Sequence, residues 1–335
     1  MGQRRSADKR QYGFWRNKRR HPHRPLKTWP DYFDSVVGVY PHCSVPNLSF
    51  QVPPELFPFE HRFIELNGNY IHYIDEGTGE TLLLLHGNPS WCFLYRKIVA
   101  GLKPSFRCVA LDFPGYGMSD APAGYGYTPQ EHAAMLEQFV DRLNLQRLTI
   151  MMQDWGGPIG LGFAERRPEL VHRLIIGNTF AWPLDGERRI QIFSWIMSGP
   201  IGRMLTSTFN FAPRVFFARG FAQRPSSAVL AMYFAPWQNR ERRVAAVIAP
   251  RQLIASSRYL RTVEEKLPKL ADRPVLIIWG MKDFAFRDTE RKRLERAFPK
   301  HKTVMFANAS HFLQEDAGEQ IAEEIKVFLS ETAQG

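Results

Sequence analysis

The sequence predicts an α/β protein: a mostly parallel eight-stranded sheet flanked by helices, with one long helical insertion. Three observations carry this. From about residue 61, short apolar runs alternate with helical stretches, the pattern of a parallel sheet covered by helices. The runs Leu82–Leu85 and Val275–Ile278 are continuously apolar, as strands buried on both faces are. Between about Trp182 and Leu267 the rhythm stops, and the chain becomes rich in aromatics and is punctuated by prolines.

Taken in order, strands are expected near His61–Leu66, Asn69–Asp75, Thr81–Leu85, Phe106–Leu111, Leu148–Gln153, His172–Ile176, Pro274–Trp279 and Thr303–Phe306. Helices are expected over Trp91–Ala100, Pro129–Leu143, Pro158–Arg166, Arg287–Ala297 and Glu319–Leu329. Residues 28–180 and 268–335 would form the core domain, and residues 181–267 a helical cap over the carboxyl ends of the strands, where open α/β sheets bind ligands. Most of the cap's aromatic rings are expected to pack its own core, leaving few for a pocket.

The formal charge of +11 points towards nucleic acid only at first sight. Residues 1–27 hold ten Lys/Arg against Asp8 alone, so this arm carries +9 and the other 308 residues only +2. Composition reads the arm as a basic disordered segment and the remainder as an ordinary globular surface, which argues against nucleic acid as a partner. Arg4-Arg5 is followed by no apolar run before residue 30, and nowhere do ~18 apolar residues run together, so neither export nor a membrane span is expected. Cys43, Cys92 and Cys108 are far apart and odd in number, which fits reduced thiols in a cytoplasmic protein. No metal site is expected, since the one close histidine pair, His21 and His23, falls in the arm. Oligomeric state is open.

The strongest local signal is Met151-Met152-Gln153-Asp154-Trp155-Gly156-Gly157, directly after a strand and before a helix. This is the context of a nucleophile elbow, in which glycines permit the tight turn that lifts one side chain above the sheet. The lifted residue is Asp154, and Met152 stands where a small residue is usual. Asp154 alone serves equally well as a helix N-cap. What favours chemistry is the order Asp154, Asp283, His311, which is the nucleophile, acid, base order of α/β-hydrolases, each residue following a strand at one end of the sheet. The loop Leu85-His86-Gly87-Asn88-Pro89 would add a backbone N–H near Asn88 to that of Trp155 as an oxyanion hole.

Over roughly residues 55–330 the sequence resembles the haloalkane dehalogenases, most closely in His86-Gly87-Asn88-Pro89, Gln153-Asp154-Trp155-Gly156-Gly157 and Gly280-Met281-Lys282-Asp283. The resemblance implies an α/β-hydrolase fold with a helical cap, no cofactor, and a small apolar halogenated substrate, water and halide as the reacting partners. It also implies a halide site formed by the side chains of Asn88 and Trp155. Some members carry a Glu after the sixth strand as the triad acid; here that stretch reads Ile175-Ile176-Gly177-Asn178-Thr179, which leaves Asp283 and resembles the family's smaller third subgroup.

A carboxylate suits displacement at a saturated carbon because it is already ionised near neutrality, with an ordinary pKa of about 3.9. The resulting alkyl ester of Asp154 would be hydrolysed by water that His311 deprotonates, with Asp283 orienting the imidazole. Three other readings share much of this pattern. An epoxide hydrolase would need two cap tyrosines, and residues 181–267 contain only Tyr233 and Tyr259. A coelenterazine-type luciferase resembles the dehalogenases but typically carries the missing Glu. A non-catalytic ligand-binding protein could use the same scaffold.

Overall fold

A computed structural model describes residues 50–333. The basic arm 1–27, with Arg4, Arg5, His21 and His23, residues 28–49 of the expected core domain, and Cys43 lie outside the described residues.

All eight expected strands form: β1 Arg62–Leu66, β2 Asn69–Glu76, β3 Thr81–Leu85, β4 Arg107–Leu111, β5 Leu148–Asp154, β6 Val171–Thr179, β7 Val275–Gly280 and β8 His301–Phe306. They make one sheet in the order β1-β2-β4-β3-β5-β6-β7-β8. The pairs β1/β2 and β2/β4 are antiparallel, and every pair from β4 to β8 is parallel. The central strands β3, β5 and β7 are buried along their whole length, which is why their sequences run apolar instead of alternating. The sheet ends on β1 at one edge and β8 at the other, and β8 is the one strand of the parallel portion without a fully buried residue.

Helices cover the sheet: α1 Arg96–Leu102, α2 Pro129–Arg142 and α3 Gly156–Arg166 in the first half, then α10 Asp288–Ala297, α11 Leu313–Asp316 and α12 Gly318–Glu331 after β7. The helix expected from Trp91 instead begins as a 3-10 turn, Cys92–Tyr95. Helix α2 starts where its sequence says it should, because Thr128 and Glu131 cap each other's backbone and Pro129 fills the first turn.

The stretch between β6 and β7 contains no strand. It forms six helices, α4 Arg188–Ser198, α5 Pro200–Phe209, α6 Phe211–Arg219, α7 Ser227–Phe234, α8 Val244–Ala255 and α9 Ser257–Lys266. Phe217, Tyr233 and Trp237 are buried, as expected of most rings there, but Trp195, Phe209 and Phe211 are exposed. Composition alone carries no information on which side of a helix a ring lies, and the outward rings fall on α4, α5 and the first turn of α6. No helix among the described residues is long and apolar enough to cross a membrane.

A buried tie joins three parts of the fold. Arg96 on α1 makes a paired contact with Glu315 on α11 at 2.6 and 2.7 Å, and the Tyr233 hydroxyl on α7 donates to the same carboxylate at 2.7 Å. Burial opposes ionisation of Glu315, but the Arg96 hydrogen bonds and charge, with help from Tyr233 and Lys97, hold its pKa below the ordinary value.

Candidate active site

Parallel strands β5, β7 and β8 end on the same side of the sheet, and this alone gathers Asp154, Asp283 and His311. Asp154 closes β5 with φ of +50°, a left-handed conformation that L side chains seldom adopt. Such a turn needs neighbours without bulk. A Cβ on Gly87 would lie 2.3 Å from Asp154 Cβ, and one on Gly156 would lie 2.3 Å from the Leu85 carbonyl oxygen. A Cβ on Gly160, one turn into α3, would lie 2.8 Å from Leu85 Cδ1, and Met152 packs beside that glycine at ordinary contact distance. The Thr179 hydroxyl donates to the Asp154 carbonyl and fastens the turn to β6.

The Asp154 carboxylate accepts the backbone N–H of Asn88 at 2.7 Å, and the Trp155 N–H also favours its ionised form. Burial, the largest influence, pushes its pKa up; the His311 charge and the two N–H groups oppose this without cancelling it, and Asp283 adds to the rise. His311 Nε2 lies 3.8 Å from Asp154 Oδ2, and its Nδ1 lies 3.1 Å from Asp283 Oδ2. A carboxylate only accepts, so the proton of the neutral ring sits on Nδ1 and the Nε2 lone pair faces Asp154. Burial works against charging His311, but Asp283 and then Asp154 outweigh it and raise the pKa above the ordinary 6.5. Aromatic rings enclose the imidazole, with Phe312 at 4.9 Å, Phe284 and Phe286 at 5.8 Å, and Phe216 of α6 at 6.2 Å between ring centres.

Sequence reasoning missed three residues. Asn178 ends β6 and donates to Asp283 Oδ2 at 2.9 Å and to the Gly280 carbonyl at 3.0 Å, while its own Oδ1 accepts the Gly280 N–H at 2.7 Å. Gln153, beside Asp154, places Nε2 3.1 Å from the His311 carbonyl oxygen and 3.3 Å from His311 Nε2. The Tyr116 hydroxyl lies 3.4 Å from Asn88 Oδ1. In the sequence Asn178 stands out only as the absence of an acid, and nothing in the spacing of Gln153 or Tyr116 marks them.

Asn88 and Trp155 line a narrow cavity together with Tyr116, His132 and Ile159, and Ala249 and Gln252 of α8 bring the insertion to its wall. Neither Asn88 Nδ2 nor Trp155 Nε1 donates to a protein acceptor among the described residues. His132 stays neutral there, since burial and then the neighbouring His86 lower its pKa to about 3. The tyrosines of the insertion lie elsewhere: Tyr233 bonds Glu315, and Tyr259 donates to the Pro158 carbonyl at 2.9 Å. Beneath the site, buried Asp112 accepts from His72 Nδ1 at 2.8 Å, Cys92 N at 2.8 Å and Met118 N at 2.9 Å, a closed network that pins the loops after β3 and β4.

Known proteins resemble this chain over most of its length. The α/β-hydrolase fold family profile matches residues 80–318. Haloalkane dehalogenase 2 of Mycobacterium tuberculosis is 43% identical over 278 residues, covering 82% of this chain and 97% of the relative. The cis-3-alkyl-4-alkyloxetan-2-one decarboxylase of Shewanella oneidensis is 35% identical over 287 residues, covering 83% and 90%. Among solved structures, haloalkane dehalogenase DbeA from Bradyrhizobium elkani superposes with a TM-score of 0.75 at 23% identity, covering 82% of this chain and 99% of that one.

Proposed function

From the premise that the chain belongs to the haloalkane dehalogenases of the α/β-hydrolase fold, we propose that Asp154 is the nucleophile, His311 the base, Asp283 its orienting acid, and Asn88 with Trp155 the halide site. An Asp154 oxygen attacks the halogenated carbon in line, the carbon–halogen bond breaks, and the halide leaves with the bonding pair. Its charge is met by two donors of the cavity wall, Asn88 Nδ2 and Trp155 Nε1. The alkyl group is now an ester of Asp154. Water then adds to the ester carbonyl carbon while His311 Nε2 takes its proton. The Asn88 and Trp155 N–H groups stabilise the oxyanion, and collapse releases the alcohol as the proton returns through His311. One halide and one proton are produced for each alcohol.

The observation that carries this reading is a carboxylate at the elbow, with Asn88 and Trp155 in the cavity wall bonding no protein acceptor through their side-chain N–H groups among the described residues. A serine nucleophile would need a base before attack; Asp154 needs one only afterwards. The helical insertion acts as the cap, supplying Ala249 and Gln252 to the cavity wall. A cytoplasmic location fits the reduced cysteines Cys92 and Cys108. An epoxide hydrolase is disfavoured because Tyr233 and Tyr259, its two available acids, are bonded away from the cavity.

A second reading is favoured by the similarity to the oxetan-2-one decarboxylase. A carboxylate can open a strained four-membered ester at its alkyl carbon, and loss of carbon dioxide with expulsion of Asp154 would leave an alkene without any need for water. Halide release from 1-bromobutane and 1,2-dibromoethane by wild type and Asp154→Ala, beside carbon dioxide release from a cis-dialkyl oxetan-2-one, separates the two. Bromide release lost in the variant supports dehalogenation; carbon dioxide alone would replace it with lactone opening.

A further inference from the structure

The helical insertion distributes its charge and its apolar surface unevenly. Between Arg188 and Arg251 there are ten arginines, no lysine and one acid, Glu241. The net charge of +2 over residues 28–335 averages this excess away. Arg242 reaches Asp120 at 3.6 Å, and no other arginine of the stretch joins an ion pair among the described residues. The cations are also crowded: Arg214 donates to the Phe209 carbonyl at 3.0 Å while Arg243 donates to those of Ser207 and Thr208 at 2.9 and 3.0 Å. Burial and then the Arg214 charge hold Arg243 below its ordinary pKa. A solvated surface without a partner ordinarily intersperses both signs.

Apolar groups stand on the same segment. Of the twelve large hydrophobic residues exposed among the described residues, eight fall between Ile192 and Val244. On α4, Ile192, Trp195 and Ile196 are 49%, 78% and 54% exposed, and their spacing of three and four places them on one face. On α5, Ile201, Met204 and Phe209 are 73%, 51% and 61% exposed. The two helices are consecutive, separated by Gly199 alone, and they pack against each other.

The sign of the charge selects the occupant. A second copy docked through the same face would bring two arginine-rich surfaces together, and the chain's own residues 1–27 carry +9. A nucleic acid would satisfy the arginines but leave Trp195, Ile196 and Ile201 against phosphates. An anionic bilayer satisfies both, with hydrocarbon for the rings and aliphatic chains and phosphate for guanidinium groups, whose long stems reach to the interface. We propose that the α4–α5 face docks the protein on an anionic lipid surface, with Trp195, Ile196 and Ile201 entering the headgroup boundary and the surrounding arginines lying at the phosphates. The segment that closes the cavity then also rests where apolar substrates concentrate.

The test is co-sedimentation of the full chain with sucrose-loaded vesicles of phosphatidylcholine, alone or with about one third phosphatidylglycerol. Binding to the anionic vesicles is expected to exceed binding to neutral ones by about tenfold or more, and to weaken as salt rises. Trp195→Ser with Ile201→Ser should lower it about tenfold, and Arg203→Glu severalfold, with thermal unfolding midpoints unchanged. Because the basic arm stays in every variant, undiminished binding after both sets of changes would assign the lipid contact to the arm and overturn the proposal. So would absence of vesicle binding, whether the face proves to drive self-association lost in Trp195→Ser/Ile201→Ser, or the protein binds only a duplex oligonucleotide. Single Arg203→Glu keeps the test decisive if the apolar double variant does not fold.

Discussion

Asn178 donates its side-chain amide to Asp283 Oδ2 at 2.9 Å, the oxygen that also faces His311 Nδ1. The amide reaches from the end of β6 across to the end of β7, and it steadies the Asp283 carboxylate there. Hydrogen bonds to a charged group contribute about 1.5–3 kcal/mol, so Asn178→Leu is expected to slow ester hydrolysis about 10- to 100-fold while leaving ester formation nearly intact. Rapid-mixing kinetics that separate the halide burst from steady-state turnover check this; equal slowing of both phases would contradict it.

Replacing His311 should separate the two chemical steps completely. His311→Phe is expected to release one halide per enzyme and then stop, with intact-protein mass spectrometry showing the alkyl adduct on Asp154. Asp154→Ala should show neither burst nor adduct. A His311→Phe enzyme that turns over normally would remove the base from the scheme.

The pH dependence follows from the charges around the imidazole. In the free protein Asp283 and Asp154 raise the His311 pKa above 6.5 against the effect of burial. Esterification removes the Asp154 charge, and with it one of the influences that favour the imidazolium. A protonated ring cannot accept a proton, so hydrolysis falls as pH drops through the His311 pKa, and that fall should occur at lower pH in the ester than in the free protein. Single-turnover decay of the ester measured across pH, set against NMR titration of free His311, gives both midpoints. Coincident midpoints would mean that Asp154 does not sense the ring.

Loss of either halide donor should be felt in the transition state. Trp155→Phe or Asn88→Ala is expected to lower the rate of halide release by about 10²–10³, equivalent to about 2.7–4 kcal/mol, and to weaken inhibition by bromide. An effect on KM with no change in kcat would point to substrate packing instead.

The Arg96–Glu315 pair is buried on both sides, so breaking it leaves a charge without its partner. Arg96→Met is expected to cost about 3–5 kcal/mol in urea unfolding. Because Glu315 has its pKa depressed in the folded state, the pair's contribution is complete above the ordinary carboxylate range and is lost as pH falls through the lowered value. The difference between wild type and variant should therefore shrink in acid.

Much of this architecture was legible in the chain because periodicity reports burial. The eight strands announce themselves since five of them sit wholly or largely inside the molecule, and Asp154, Asp283 and His311 come together because the strands before them end on one side. Boundaries were less exact: β6 continues to Thr179, past the point where its apolar run gives way to Gly177 and Asn178, because those residues still pair with or brace the adjacent strands. Gln153, Asn178 and Tyr116 were not legible as site residues, since a neutral side chain earns its role only from what folding brings beside it. The outward rings of α4 and α5 were hidden for the same reason.

The insertion departs from β6 and returns at β7, and these strands pair directly from Leu174 opposite Val275 to Ile176 opposite Ile277. The ladder is closed beneath the excursion, so lengthening, shortening or exchanging the helices does not require the strand register to change. Asp154, Asp283 and His311 all hang from the closed side. The strands that carry Asp154, Asp283 and His311 thus owe their register to the sheet alone, and an exchanged insertion would have to preserve only its own contacts with that layer, among them Phe216 beside the His311 ring and Tyr233 on Glu315.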